Sequence, residues 1–211
     1  MSDSLPNLSQ SDNTAKPRLL ATSVASYTIS RCPSPCEDHR VRQIALVYQE
    51  AFRGPPYFEY YDEAYVIDEI VVPHLPFYTG MAEVAGEIVG MVCAHPLSAD
   101  LNADIRDYLL TQAQEHLSFS LDQAVYLSEL AVLSKCRGAG IGTQLTQACL
   151  NWAWDSGYLW CVTRTAEHGS NSVRIFLRAG FQHLPFVQNV TSSEVKSSSE
   201  RRIWLCRGTQ Q

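Results

Sequence analysis

The seven residues from Arg137 to Thr143 constrain this chain more than any others. The run Tyr126-Leu127-Ser128-Glu129-Leu130-Ala131-Val132 reads as a strand. It passes through Leu133-Ser134-Lys135-Cys136 into Arg137-Gly138-Ala139-Gly140-Ile141-Gly142-Thr143, which opens an amphipathic helix. Three glycines at alternate positions let the backbone approach a bulky anion. They also leave N–H groups unpaired at a helix N-terminus, where the macrodipole favours negative charge. Lys135 and Arg137 add positive charge at the rim. Physically this is a phosphate cradle behind a strand. It is not a nucleoside-triphosphate loop, because Gly142 is followed by Thr143 with no lysine between. Nor does it match a dinucleotide fingerprint: the spacing is G-x-G-x-G, and the next strand ends in Thr163-Arg164 rather than an acid. The plain alternative is a glycine-rich turn that only starts a helix.

Around this core the element types alternate. Ser23–Ser30 reads as a first strand, and Asp38–Phe52 has apolar residues at helical spacing, with Asp38 as N-cap. Gly54-Pro55-Pro56 breaks that helix; Tyr61–Val72 reads as a second, ended by Pro73. Tyr78–Ala85 and Glu87–His95 form a hairpin around Gly86, and Ser98–His116 is a helical insertion. After the strand Val125–Val132 come the helix Gly140–Asp155, the strand Gly157–Arg164, the helix Asn171–Arg178 and the strand Gly180–Val187. A polar turn at Ser192–Glu200 leads to the last strand, Arg201–Cys206. Such mixing predicts one α/β domain with a mixed central sheet flanked by helices over residues 24–211. Residues 1–23, rich in Ser, Asn, Asp and Pro, read as a disordered tail without the apolar run of a signal peptide.

The net charge of −6 hides a division. Residues 37–129 hold 16 acids against four arginines, a net of −12, while residues 130–211 hold nine bases against four acids, a net of +5. This is no coat for nucleic acid, and no apolar stretch is long enough to span a membrane. An acidic half followed by a basic half suits two small partners of opposite charge. The seven cysteines include no C-x-x-C pair, so neither a zinc site nor any other metal is expected. Free thiols in a reducing cytosol, and hence a cytoplasmic protein, are the expectation.

Here the sequence resembles the GCN5-related N-acetyltransferase (GNAT) family. The resemblance rests on Glu129-Leu130-Ala131-Val132, on Arg137-Gly138-Ala139-Gly140-Ile141-Gly142 with Leu145, and on Phe176-Leu177-Arg178-Ala179-Gly180-Phe181. It implies acetyl-CoA as donor and an amine, small molecule or peptide, as acceptor. By position it carries pyrophosphate binding onto Arg137, Gly138, Ala139, Gly140, Ile141, Gly142 and Thr143. It carries pantetheine binding onto the strand residues Leu130, Ala131 and Val132. Asn171 and Phe176 stand near further CoA-binding positions, and Asn171 is equally suited to capping its helix. Phe176 occupies the place where many members hold a tyrosine that protonates the leaving thiolate, and it has no proton to give. Tyr126, Tyr158 or water would have to serve instead. Homodimers are common in the family, and nothing in the sequence locates an interface.

An ammonium with a pKa of about 10.4 must lose its proton before it can attack, which costs roughly 4–5 kcal/mol at pH 7. Glu129, just before the pantetheine stretch, is the expected base; its alternative is to brace a neighbouring loop. The acceptor is expected near the aromatic and acidic run from Phe52 to Glu63, at Tyr57, Glu59 and Tyr60. Carboxylates and ring faces together attract an ammonium; the alternative is a structural cap over the core. Two other activities fit the same residues: transfer from a different acyl-CoA, and a CoA-binding regulatory module that has lost its chemistry.

Overall fold

A computed structural model describes residues 26–99, 101, 103–112, 114–190 and 201–209. The expected tail at 1–23 and the polar turn at 192–200 lie outside them. The strands are β1 (Thr28–Arg31), β2 (Tyr78–Val84), β3 (Glu87–Pro96), β4 (Ala124–Val132), β5 (Trp160–Ala166), β6 (Gln182–Asn189) and β7 (Arg201–Gly208). They form one mixed seven-stranded sheet in the order β1-β2-β3-β4-β5-β7-β6. Every neighbouring pair is antiparallel except β4 and β5. The helices are α1 (Asp38–Arg53), α2 (Glu63–Tyr65), α3 (Val72–His74), α4 (Ala103–Gln112), α5 (Ile141–Asp155) and α6 (Ser172–Arg178). The expected mixed α/β domain is thus the architecture observed.

The periodicity of each segment explains its place. In α1, Val41, Ile44, Ala45, Val47 and Tyr48 form the buried stripe. In α5 it is Ile141, Leu145, Cys149, Leu150 and Ala153. The two helices cover opposite faces of the sheet. A Cβ placed on Gly90 would meet Leu145 and Ile141 of α5, whereas His95, five residues along β3, reaches His74 of α3. A second apolar cluster gathers Ile105 and Leu109 of α4 with Leu97, Tyr126, Val162 and Trp204. The hairpin turns at Ala85 and Gly86, both at positive φ, a pair of left-handed residues that matches the strand twist.

Three expectations need correction. The second helix does not end at Pro73: α2 passes into a π-helical stretch, Val66–Val71, and then α3. Val72 N–H bonds to Ile67 O, five residues back. Pro73 therefore falls in the first turn of α3, the part of a helix that best tolerates proline, and the helical run continues through it. The N-cap of α1 is Glu37, which makes no side-chain cap bond; Asp38 is the first helical residue. Finally, the cysteines are not all free. Cys32 and Cys36 are joined across the Pro-Ser-Pro turn, with Cα atoms 6.2 Å apart, and the other five are free and buried.

Candidate active site

The sheet opens at its centre. Parallel pairing of β4 with β5 runs from Ala124↔Trp160 to Leu127↔Thr163 and stops. Beyond that point β4 continues on β3 as far as Gly90↔Val132, and β5 continues on β7 as far as Ala166↔Arg202. Backbone groups of β4 from Ser128 onward consequently face a wedge rather than a neighbouring strand. Leu130, Ala131 and Val132 line a cleft of about 440 Å³ that begins there. Its other walls come from Phe52 and the Pro55–Tyr57 link, the loop Arg137–Gly138, the start of α5, and Gly169–Ser172 with α6.

The glycines divide the work at the mouth of this cleft. Gly138 and Gly140 hold φ of +86° and +85°, and Gly140 is the left-handed N-cap of α5. A side chain is strained in that conformation. Gly142 is different: it is helical and buried, and a Cβ there would lie 2.8 Å from Ile175 Cδ1 of α6. It serves the approach of two helices. The first N–H groups of α5 have no intrahelical acceptors and sit at the positive end of the dipole.

The expected cofactor residues Leu130, Ala131, Val132, Arg137, Gly138, Gly140, Ile141, Gly142, Thr143 and Asn171 all line the cleft. Ala139 and Phe176 do not. Phe176 is 2% exposed and packs on Phe181 with ring centroids 5.4 Å apart, so it belongs to the core. Asn171 stands at the N-cap of α6 without a side-chain cap bond; Ser170 Oγ accepts from Ser172 N–H instead. The Arg137 guanidinium donates to Val132 O at 3.0 Å and to Ala51 O at 3.3 Å, tying the end of β4 to the end of α1. Two more cations line the cleft, Arg174 and Arg178 of α6, and like Arg137 neither has an ion-pair partner among the described residues. The sequence reading missed them; two arginines four apart on a short helix was the available signal.

Of the expected acceptor residues, Tyr57 lines the same cleft. Its hydroxyl lies 3.0 Å from Thr165 Oγ1, and the Arg202 guanidinium sits 5.5 Å from its ring centroid. Tyr60 is 72% exposed beside Arg53 and does not line the cleft. Glu59 is half-buried, and burial raises its pKa while Arg202 opposes. The proposed substitutes for the family's tyrosine are also displaced: Tyr126 is buried in the second core, and Tyr158 packs on Trp152 of α5.

Glu129 pairs with Cys93 in register, and so faces the α1 and α3 side of the sheet. Burial raises its pKa to about 8; the nearby Glu59 charge adds to the rise and Arg164 works against it. A bulge lies beside it, because Cys93 pairs with Glu129 while Ala94 pairs with Leu127. The residue left over is Ser128. Its Oγ lies 2.8 Å from His74 Nε2 and donates to Cys93 O at 3.2 Å. The sequence reading passed over both Ser128 and His74, since neither lies in a local motif.

Solved structures share this fold at low identity. Ard1 from Thermoplasma volcanium superposes with a TM-score of 0.61 at 16% identity, covering 89% of this chain and all of that one. The ribosomal-protein-alanine N-acetyltransferase of Brucella melitensis gives 0.62 at 13%, covering 86% and 99%. A GCN5-related N-acetyltransferase from Kribbella flavida gives 0.61 at 15%, covering 87% and 98%. No curated protein matches the sequence. The Acetyltransferase (GNAT) family matches residues 39–181, two thirds of the chain, including the cleft strand, the glycine loop and α6. The chain belongs to the GNAT acetyltransferase family, whose chemistry is acyl transfer from an acyl-CoA.

Proposed function

We propose that the protein is an N-acetyltransferase that moves an acetyl group from acetyl-CoA to an amine by direct attack in a ternary complex. One observation carries the reading: the wedge between β4 and β5 has a glycine-lined helix N-terminus at its mouth and a carboxyl group, Glu129, at its inner end. Bound acetyl-CoA would supply an acyl group activated as a thioester. The residues present suit it. The N-terminus of α5 with Arg174 and Arg178 would hold its phosphates. The exposed backbone of Leu130–Val132 would hold its pantetheine arm, in the manner of an added strand. Glu129 would attract the acceptor's ammonium and take its proton. Glu59, whose charge reaches Glu129, would add to that attraction.

The acceptor is a small-molecule or peptide amine. Two neighbours in fold are named for ribosomal-protein alanine, but at 10–13% identity they share the fold and carry no acceptor across. A cytoplasmic site of action accords with the five free thiols and not with the Cys32–Cys36 bridge. A second reading, a CoA-binding module without chemistry, draws on Phe176, which is in the core and has no hydroxyl. Calorimetric titration with CoA and thiol release from acetyl-CoA over a panel of amines separate the two. Binding with turnover supports the enzyme, and binding without turnover supports the module. Gly140→Val, which forces a β-branched residue to φ +85°, is expected to weaken CoA binding by at least about tenfold. Unchanged affinity would remove the glycine loop from the binding site.

A further inference from the structure

Ser128, His74 and His95 form a buried polar cluster that the proposed function leaves unused. His74 is 3% exposed and His95 1%. His74 Nδ1 lies 2.6 Å from Ile70 O, a carbonyl in the π-helical stretch. A carbonyl only accepts, so Nδ1 carries the proton and Nε2 presents a lone pair. Two groups point at that lone pair: Ser128 Oγ at 2.8 Å and His95 Nδ1 at 3.1 Å. The hydroxyl proton of Ser128 thus has two inward acceptors, His74 Nε2 and Cys93 O, and the oxygen lone pairs are left for whatever lies outside. The arrangement of hydroxyl, imidazole and orienting carbonyl is that of a proton-accepting chain.

Position makes it relevant to the site. Ser128 is the unpaired residue of the β4 bulge, next to Glu129, and the bulge turns it toward the α3 side that Glu129 also faces. It is partly exposed, at the inner end of the wedge.

We propose that Ser128 and His74 form a second route for the acceptor's proton, beside Glu129. This rests on the acyl-transfer reading above. As the amine nitrogen forms its bond to the acyl carbon, its proton passes to Ser128 Oγ while the Ser128 proton passes to His74 Nε2. The carbon–sulfur bond breaks, the sulfur leaves with the electron pair, and the proton returns through Ser128 to that sulfur. The products are an amide and a thiol, and both side chains end unchanged. Burial holds the imidazoles of His74 and His95 below the usual histidine range, so His74 begins each cycle neutral and able to accept.

The test uses the full chain with acetyl-CoA and three amines: tyramine, spermidine and an alanine-initiated hexapeptide. Ser128→Ala and His74→Gln are expected to lower kcat by about tenfold or more, with the acetyl-CoA Kd within twofold of the parent; Ser128→Thr is expected to recover most of the loss. Independently of activity, nitrogen-15 spectra of the ligand-free protein are expected to show His74 protonated at Nδ1 and bare at Nε2. A proton on Nε2 overturns the relay. So does an unchanged kcat in Ser128→Ala and His74→Gln, or an acyl group found on Ser128 by intact mass, which would make it a nucleophile instead. A parent protein that binds CoA yet turns over none of the amines removes the transferase reading itself, a result distinct from loss of the relay alone. If His74→Gln does not fold, Ser128→Ala and the spectra still decide.

Discussion

Burial, with the Glu59 charge nearby, pushes the pKa of the Glu129 carboxyl up to about 8. A base must be ionised to act, so kcat/KM is expected to climb with pH and level off above about 8. Glu129→Gln should lose that limb, and a flat profile from pH 6 to 9 in the parent would remove Glu129 as the base. The same shift has a consequence for stability. The folded pKa lies above the ordinary value of 4.5, so the folded state binds more protons between the two. Stability from this group is present below about 4.5 and is lost as pH rises through about 8. Melting curves should therefore show Glu129→Gln gaining on the parent at pH 9 and not at pH 4. The sequence pointed to Glu129 through the resemblance, which places an acid just before the pantetheine stretch. It did not point to Ser128: that residue's face depends on a bulge, and a bulge is decided by the pairing of β3 with β4.

At the level of elements, the wedge depends on how closely α5 and α6 approach. Gly142 sets that distance, with its absent side chain filled by Ile175. Alanine gains helix propensity of about 1 kcal/mol, and the Ile175 methyl can yield, so Gly142→Ala is expected to leave stability within about 1 kcal/mol. Valine overpacks the contact and is expected to cost about 1–3 kcal/mol by denaturant unfolding. Equal stability for both variants would show that the contact is slack. Most elements were readable locally: the 3.6 period in α1 and α5, and in β2 and β3 two short apolar runs around the Gly86 turn. The π-helical stretch was not, because it carries the same apolar spacing as an α-helix and differs only in which carbonyl each N–H meets. Pro73 was misread for the same reason.

Over the whole molecule, the division of charge acquires a location. The basic half contains the glycine loop and α6, and the acidic half contains α1, α2 and the link that carries Glu59. Arg174→Glu with Arg178→Glu is expected to weaken CoA binding at low ionic strength, with the loss shrinking as salt rises toward 0.5 M. Salt-independent affinity would place the phosphates elsewhere. Among the described residues no helix is long and apolar enough to cross a membrane. The amino-acid order alone determined the alternation of elements, the strand–glycine loop–helix unit and so the family, because these depend on near neighbours in the chain. Tertiary structure alone decided three things. It set where β4 leaves β5, brought His74 to Ser128 across 54 residues, and sent Phe176 into the core while Arg174 and Arg178 met the cleft. Each depends on which distant segments share a sheet edge or a buried face, and one sequence does not display that pairing locally.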